Sequence, residues 1–388
     1  MRSRRRGRAI GRVLRNEWQQ LATFQATRRR WPMPLAAALA SGLPLLAGVA
    51  AGHVGAGLAG SLGGLVFLYL PETPMHHRMV TLMACGFAMA ACFALGLGVQ
   101  VLDLAVVRVP LLVLVALLVT MVTRYFRLPP PGPLFFVMAA AIGTYMPVPT
   151  AEVTAQVGAL FLGVLGAVLV AFFYSLAVLA HWPASPLPER QPVEFGYVVV
   201  DAVVIALAVG VSLLLAELMQ LPRPYWVPVS CLAVVQGVSL RAVWNRQLQR
   251  VAGTAVGLLL AFALLSLPLD PWRIAAAVMA LVFVVEWLVV RHYGLAVVFI
   301  TPLTILLAEA PTLAGAGSVD ALVRARFFDT VLGCVVGLLG GVCLHSPRLR
   351  GWVERPLRAL VPQRLRRRIR NGGMPLGGDM ADRRPPRR

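Results

Sequence analysis

Three carboxylates and several arginines lie within or at the ends of apolar runs where charge is expensive. Asp201, Glu286 and Asp329 each fall in such a run, and an ionisable group at that depth defaults to a functional candidate. Asp329 follows Arg326 by three residues, which sets both on one face of a helix. In low dielectric such a pair has two stable forms: ionised and closed, or protonated and open. That is the chemistry of a proton carrier and equally that of a structural ion pair. Asp201, near the inner end of the seventh apolar segment, admits the same readings. So does Glu286, five residues before Arg291, with a reach to the interface as its simpler account.

The string Arg250-Val-Ala-Gly253-Thr254-Ala-Val-Gly257 carries a small-xxx-small face that lets helices touch closely. Arg250 is either an interfacial anchor or a cation that neutralises an anion at the inner mouth, and Thr254 packs beside it. Trp226 is an interface aromatic or a stacking platform. Thr301-Pro302 is expected to interrupt the eleventh helix, because proline frees a carbonyl one turn earlier.

The elements that must hold these residues follow from composition. The chain is 388 residues, 59% hydrophobic and 13% charged, with a mean hydropathy of +0.77. About 20 apolar residues cross a bilayer as a helix, and the sequence predicts twelve such segments. They are 34–52, 57–70, 79–98, 104–123, 134–147, 152–180, 196–219, 225–239, 251–268, 272–291, 294–309 and 322–344. Proline clusters at 71–74, 129–133 and 222–224 set several of the breaks. The fold class is all-α, a polytopic membrane protein of two parallel six-helix repeats. A basic tail (1–33) precedes the first repeat (34–180). A Pro-rich linker (181–195) leads to the second repeat (196–345), and a basic, partly disordered tail (346–388) follows. Gly163 and Gly166 recur as Gly337 and Gly340, each pair 174 positions apart, and Arg78 matches Arg250.

The net charge is +20, and all 36 basic residues are Arg. With both termini inside, 31 of them fall on the inner side and 5 on the outer, which orients the chain N-in and C-in. Tails this basic beside membrane spans read as contacts to anionic headgroups, not to nucleic acid. Cys85, Cys92, Cys231, Cys334 and Cys343 lie in apolar runs with no CxxC spacing, so neither a disulfide nor a metal site is expected. A phosphate-binding loop, a nucleophile elbow and an HExxH motif are all missing from the sequence. ATP hydrolysis and enzymatic catalysis are therefore not expected, and no cofactor is implied.

Three strings in the second repeat are YWVPVSCLAVVQGVSLRAVWNRQLQRVAGTAVG, RHYGLAVVFITPL and ARFFDTVLG. In this order they resemble the fusaric acid resistance protein-like (FUSC) family, which includes aromatic acid exporters of bacterial inner membranes. The resemblance covers residues 196–345 well and the first repeat weakly; Arg78-Met-Val-Thr81-Leu has no glycine matching Gly253. It implies a secondary transporter that exports small aromatic or other organic anions. Arg250, Thr254, Trp226, Arg291, Thr301, Pro302, Asp329, Arg326, Glu286 and Asp201 are its transport candidates. A homo-oligomer or a periplasmic adaptor would be its partner. An organic-anion channel and a lipid-binding membrane scaffold remain the alternative readings.

Overall fold

The computed structural model describes residues 24, 31–187, 195–268, 270–313 and 319–360. Most of both basic tails, linker residues 188–194 and the loop around 314–318 lie outside the described residues. Described residues form the helices α1 (Pro32–Ala50), α2 (Val54–Gly64, continued by a 3-10 turn over Leu65–Tyr69), α3 (Met75–Val101), α4 (Ala105–Tyr125), α5 (Leu134–Tyr145) and α6 (Val153–His181). A π turn over Gly196–Val200 leads into α7 (Asp201–Leu218). Then come α8 (Trp226–Val235), α9 (Leu240–Leu265), α10 (Pro271–Leu288), α11 (Tyr293–Leu313), α12 (Val319–His345) and α13 (Pro347–Leu360). The first twelve coincide in order with the twelve apolar segments.

Eight of these are long and apolar enough to cross a membrane: α1, α3, α4, α6, α7, α9, α10 and α12. The chain is a polytopic α-helical membrane protein. Of the other four, α5 and α8 are shorter than the segments 134–147 and 225–239 expected for them, whereas α11 is longer than 294–309. Helices α2, α5 and α8 run 11, 12 and 10 residues, about 15–18 Å at 1.5 Å per residue, and α11 is apolar over Tyr293–Ala308. Prolines cut them short: Pro71 and Pro74 lie beyond α2, Pro147 beyond α5, and Pro222 and Pro224 precede α8. A helix shorter than the bilayer is tolerated when protein, not lipid, surrounds it. All ten residues of α8 are buried accordingly.

Packing partners recur six elements apart. Helix α3 packs on α5 as α9 does on α11, and α2 on α6 as α8 does on α12. Across the halves, α1 lies against α10 and α7 against α4. The glycine stripes explain part of this. Gly163 abuts the backbone of Gly60 on α2, and an added Cβ at Gly337 would stand 2.7 Å from the Cys231 carbonyl on α8. One turn on, Gly166 faces Pro44 of α1 and Gly340 faces Ala208 of α7.

Three local expectations are corrected. The stretch Arg241–Arg246, outside the twelve expected segments, is the opening of α9. Ser239 caps that helix, its Oγ accepting from the Ala242 N–H at 3.2 Å, and Arg and Gln are good helix formers. Hydropathy alone had placed its start at 251. Pro302 does not interrupt α11, which is continuous through it. The carbonyl it frees is that of Val298, and α9 covers that carbonyl: a Cβ on Gly257 would lie 2.6 Å from it. Finally, Pro347–Leu360, taken as part of a tail, is helical.

Candidate functional site

Helix α8 sits at the centre of the candidate site because its neighbours approach without side chains in the way. Trp226 and Ser230 are four residues apart and share one face of it. Trp226 is 1% exposed. From α12, the Arg326 guanidinium lies over the Trp226 ring at 3.4 Å, and its Nη2 donates to Thr304 Oγ1 of α11 at 3.0 Å. From α9, Arg250 Nη2 reaches Ser230 Oγ at 3.5 Å. Both arginines are buried, as is Asp329, one turn along α12 from Arg326. Two guanidinium groups thus converge on one face of one short helix, with a buried carboxylate one turn along α12 from the second of them. A desolvated cation on an indole is worth about 2 kcal/mol, so the Arg326–Trp226 stack is an organising contact.

The α9–α11 contact sets the floor of this arrangement. Added Cβ atoms at Gly253 and Gly257 would fall 2.6 Å from the carbonyls of Gly294 and Val298. Thr254, between them, is buried. Thr301 Oγ1 donates back to the Val297 carbonyl at 2.9 Å, and Thr304 Oγ1 to Thr301 at 3.0 Å. These bonds occupy the hydroxyl hydrogens and leave the Thr304 oxygen to accept from Arg326.

Aromatic rings lead away from Trp226 to the end of the bundle where α4 begins. Tyr225 stacks on Trp226 with centroids 5.1 Å apart, and Tyr145 of α5 lies 6.0 Å from Tyr225. Arg108 of α4 stands over Tyr145 at 5.2 Å. The Tyr145 hydroxyl donates to Glu217 of α7. Arg108, Tyr145 and Glu217 line an open cavity of about 440 Å³ with Ala105, Gln220, Leu221, Pro222 and Pro224. The series Arg108, Tyr145, Tyr225, Trp226, Arg326 is therefore a row of π faces with a guanidinium at each end.

The remaining sequence candidates are dispersed. Asp201, at the opposite end of α7 from Glu217, forms ion pairs with Arg124 of α4 and with Arg350 of α13, the latter at 3.1 Å. Arg124 also donates to the Tyr197 carbonyl at 2.9 Å. Glu286 is buried on α10, which packs against α1 and α11. Arg291, partly exposed, donates to the Trp287 carbonyl and stacks 4.6 Å from its indole. Arg250 is 6% exposed, too buried for an interfacial anchor, and Trp226 is not an interface aromatic. Arg326 is 3% exposed, within the body of α12.

The model of the fusaric acid resistance protein-like family matches residues 203–340. Over those residues the chain is similar to that family. The match takes in α8 to α11 whole, with most of α7 and α12. It includes every residue of the Trp226 site, and Asp201 lies two positions before it. The chain is also 34% identical over 172 residues to the uncharacterized membrane protein YvaC of Bacillus subtilis (strain 168). That alignment takes in 44% of this chain, which spans a quarter of the relative's length. No solved structure matches.

Ser230, Thr304, Tyr225, Tyr145, Arg108 and Glu217 went unnoticed at the level of sequence. Glu217 alone carried a usable signal, being an acid that closes an apolar run. The rest are ordinary helix residues until α4, α5, α8 and α11 are packed together.

Proposed function

We propose that the chain is a secondary transporter that exports small aromatic or other organic anions from the cytoplasm. The observation that carries this reading is the row of rings with a guanidinium at each end, from the open cavity at Arg108 to the buried Arg326. A planar anion needs a cation for its carboxylate and π faces for its ring, and the row supplies both along one line. Arg250, beside Ser230 on the same face of α8, adds a second buried cation. Asp329 is the group that takes up a proton as the anion leaves.

In this reading the twelve segments are two parallel six-helix repeats, 34–180 and 196–345, in the inner membrane of a bacterium. Both termini are cytoplasmic, so the cavity at Arg108 opens outward. Helix α7 is fastened to the first half at both ends. Asp201–Arg124 holds the inner end, and Glu217–Tyr145 the outer end. Opening one fastener while the other stays closed would expose the Trp226 site to one side at a time.

The test is uptake into everted membrane vesicles of a radiolabelled aromatic acid, with a panel of aliphatic and neutral analogues. Accumulation driven by an imposed proton gradient and lost in Arg326→Gln supports the reading. Flux that tracks voltage alone and ignores the pH gradient replaces it with a channel. Finding no flux of any anion, with the protein folded and inserted, overturns both.

A further inference from the structure

Helix α13 has one face that the described residues leave bare. Over Pro347–Leu360, Leu349, Trp352, Val353 and Pro356 fall on one side at helical spacing, and Arg348, Glu354 and Arg355 on the other. Trp352 is 80% exposed and Leu349 44%. A soluble helix would turn that stripe inward. Here the helix is held by its edge, through Arg350 to Asp201 at 3.1 Å, and its apolar side faces away from the core.

The surroundings identify what covers it. Exposed aromatics mark this end of the bundle: Trp31 before α1, Phe126 after α4, Trp182 after α6, Tyr197 before α7, Trp244 early in α9 and Trp287 late in α10. Such a belt marks the level of lipid headgroups. Helix α13 starts two residues after α12 ends, and so lies at that level. Its polar side carries Arg348 and Arg355 against Glu354.

We propose that α13 lies in the plane of the bilayer surface, its Leu349–Trp352 stripe among the upper acyl chains and its arginines on anionic phospholipid headgroups. The lipid surface then bears on transport through Arg350. That residue shares Asp201 with Arg124, so the depth of α13 acts on the ion pair joining the two halves at this end. The docking itself needs only the membrane location. Its effect on flux rests on the transport reading above.

The test places a nitroxide at Leu349→Cys or at Arg355→Cys in full-length protein lacking the native cysteines, in nanodiscs of neutral lipid with or without anionic phosphatidylglycerol. Power saturation with oxygen and with a water-soluble nickel chelate reads immersion. The label at 349 should favour oxygen and the label at 355 nickel. The anionic lipid should deepen 349, and Arg348→Gln with Arg355→Gln should abolish that deepening. Equal nickel access at both positions in both lipids overturns the proposal. So does protection of 349 that appears only as protein concentration rises, which would make a second copy of the chain the occupant. This readout involves no transport, so it stands or fails apart from the transport reading.

Discussion

Gly257 offers the most direct test of the site's architecture, because a single carbon there links packing to chemistry. A Cβ at this position would stand 2.6 Å from the Val298 carbonyl oxygen, 2.8 Å from Thr301 Cβ and 2.9 Å from Thr301 Oγ1. Ordinary contact needs roughly 3.5 Å, so α11 must retreat by several tenths of an ångström or more. The carbonyl is backbone and cannot rotate aside. Overpacking of this kind costs about 1–3 kcal/mol, while exchanging glycine for alanine in a helix returns about 1 kcal/mol. Gly257→Ala should therefore lower stability by about 1 kcal/mol net. Gly257→Val adds two more carbons with less propensity gain, and should cost about 3 kcal/mol or more. The functional consequence is larger than the alanine figure suggests. Thr304 lies on the same helix, and its bond to Arg326 is 3.0 Å long. A retreat of about 0.6 Å would take it past the limit of a hydrogen bond. Fluorescence-detected size-exclusion after a heat ramp measures stability, and vesicle uptake measures transport. Val256→Ala, next door but 54% exposed, should change neither by more than about 0.5 kcal/mol. If both Gly257 variants match wild type in melting and uptake, α9 and α11 are not in backbone contact, and the reasoning fails.

Arg250→Ala should depress export of anions more than that of neutral analogues, while Arg250→Lys should retain part of it; equal loss for both substrate classes would mark Arg250 as structural. Asp329→Asn keeps the volume but cannot ionise, so pH-driven uptake should vanish while binding measured by tryptophan quenching survives. Normal uptake by this variant would move the proton carrier to Glu286 or Asp201. For topology, impermeant thiol reagent applied to intact cells should label Met219→Cys and spare Leu187→Cys in a protein lacking its native cysteines, and the reverse would invert the orientation. At the two ends of α7, Glu217→Gln and Asp201→Asn should bias the site to opposite sides, read as opposite changes in protection of a label near Trp226 from external reagent.

The order of helices was legible because burial in lipid and burial in protein both demand apolar residues, and proline and glycine mark most of the breaks. What hydropathy could not separate was a crossing helix from a short one enclosed by others. Val54–Gly64 and Trp226–Val235 are as apolar as true spans; the flanking prolines limit their length, and the glycines of α6 and α12 let neighbouring helices enclose them. The opening of α9 was lost for the opposite reason, since its polar residues hid a good helix behind a poor hydropathy score. Among the site residues, Arg326, Asp329, Arg250 and Trp226 stood out as types out of place. Their gathering around α8 depends on contacts between segments about 20 to 100 residues apart, which no local pattern records.

The chemistry is unevenly divided between halves that pack alike. The second half buries Arg250, Arg326, Asp329 and Glu286, whereas the first buries Arg78, which donates to the Thr73 carbonyl at 2.6 Å and to Ser175 at 3.2 Å. Such a division suits a frame working on a moving site. Helix α7 is the element that must mediate between them, since it opens the second half yet lies against α4 of the first. Asp201 and Glu217 are sixteen residues apart, about 24 Å along a helix at 1.5 Å per residue. That nearly spans the hydrocarbon, so one rigid rod carries a carboxylate to each surface. A rod fastened at both ends holds the halves together, and one released at a single end pivots on the other. Because each fastener includes an ionisable carboxylate with its partner on the opposite half, protonation or a competing anion on either side of the membrane can loosen that side alone.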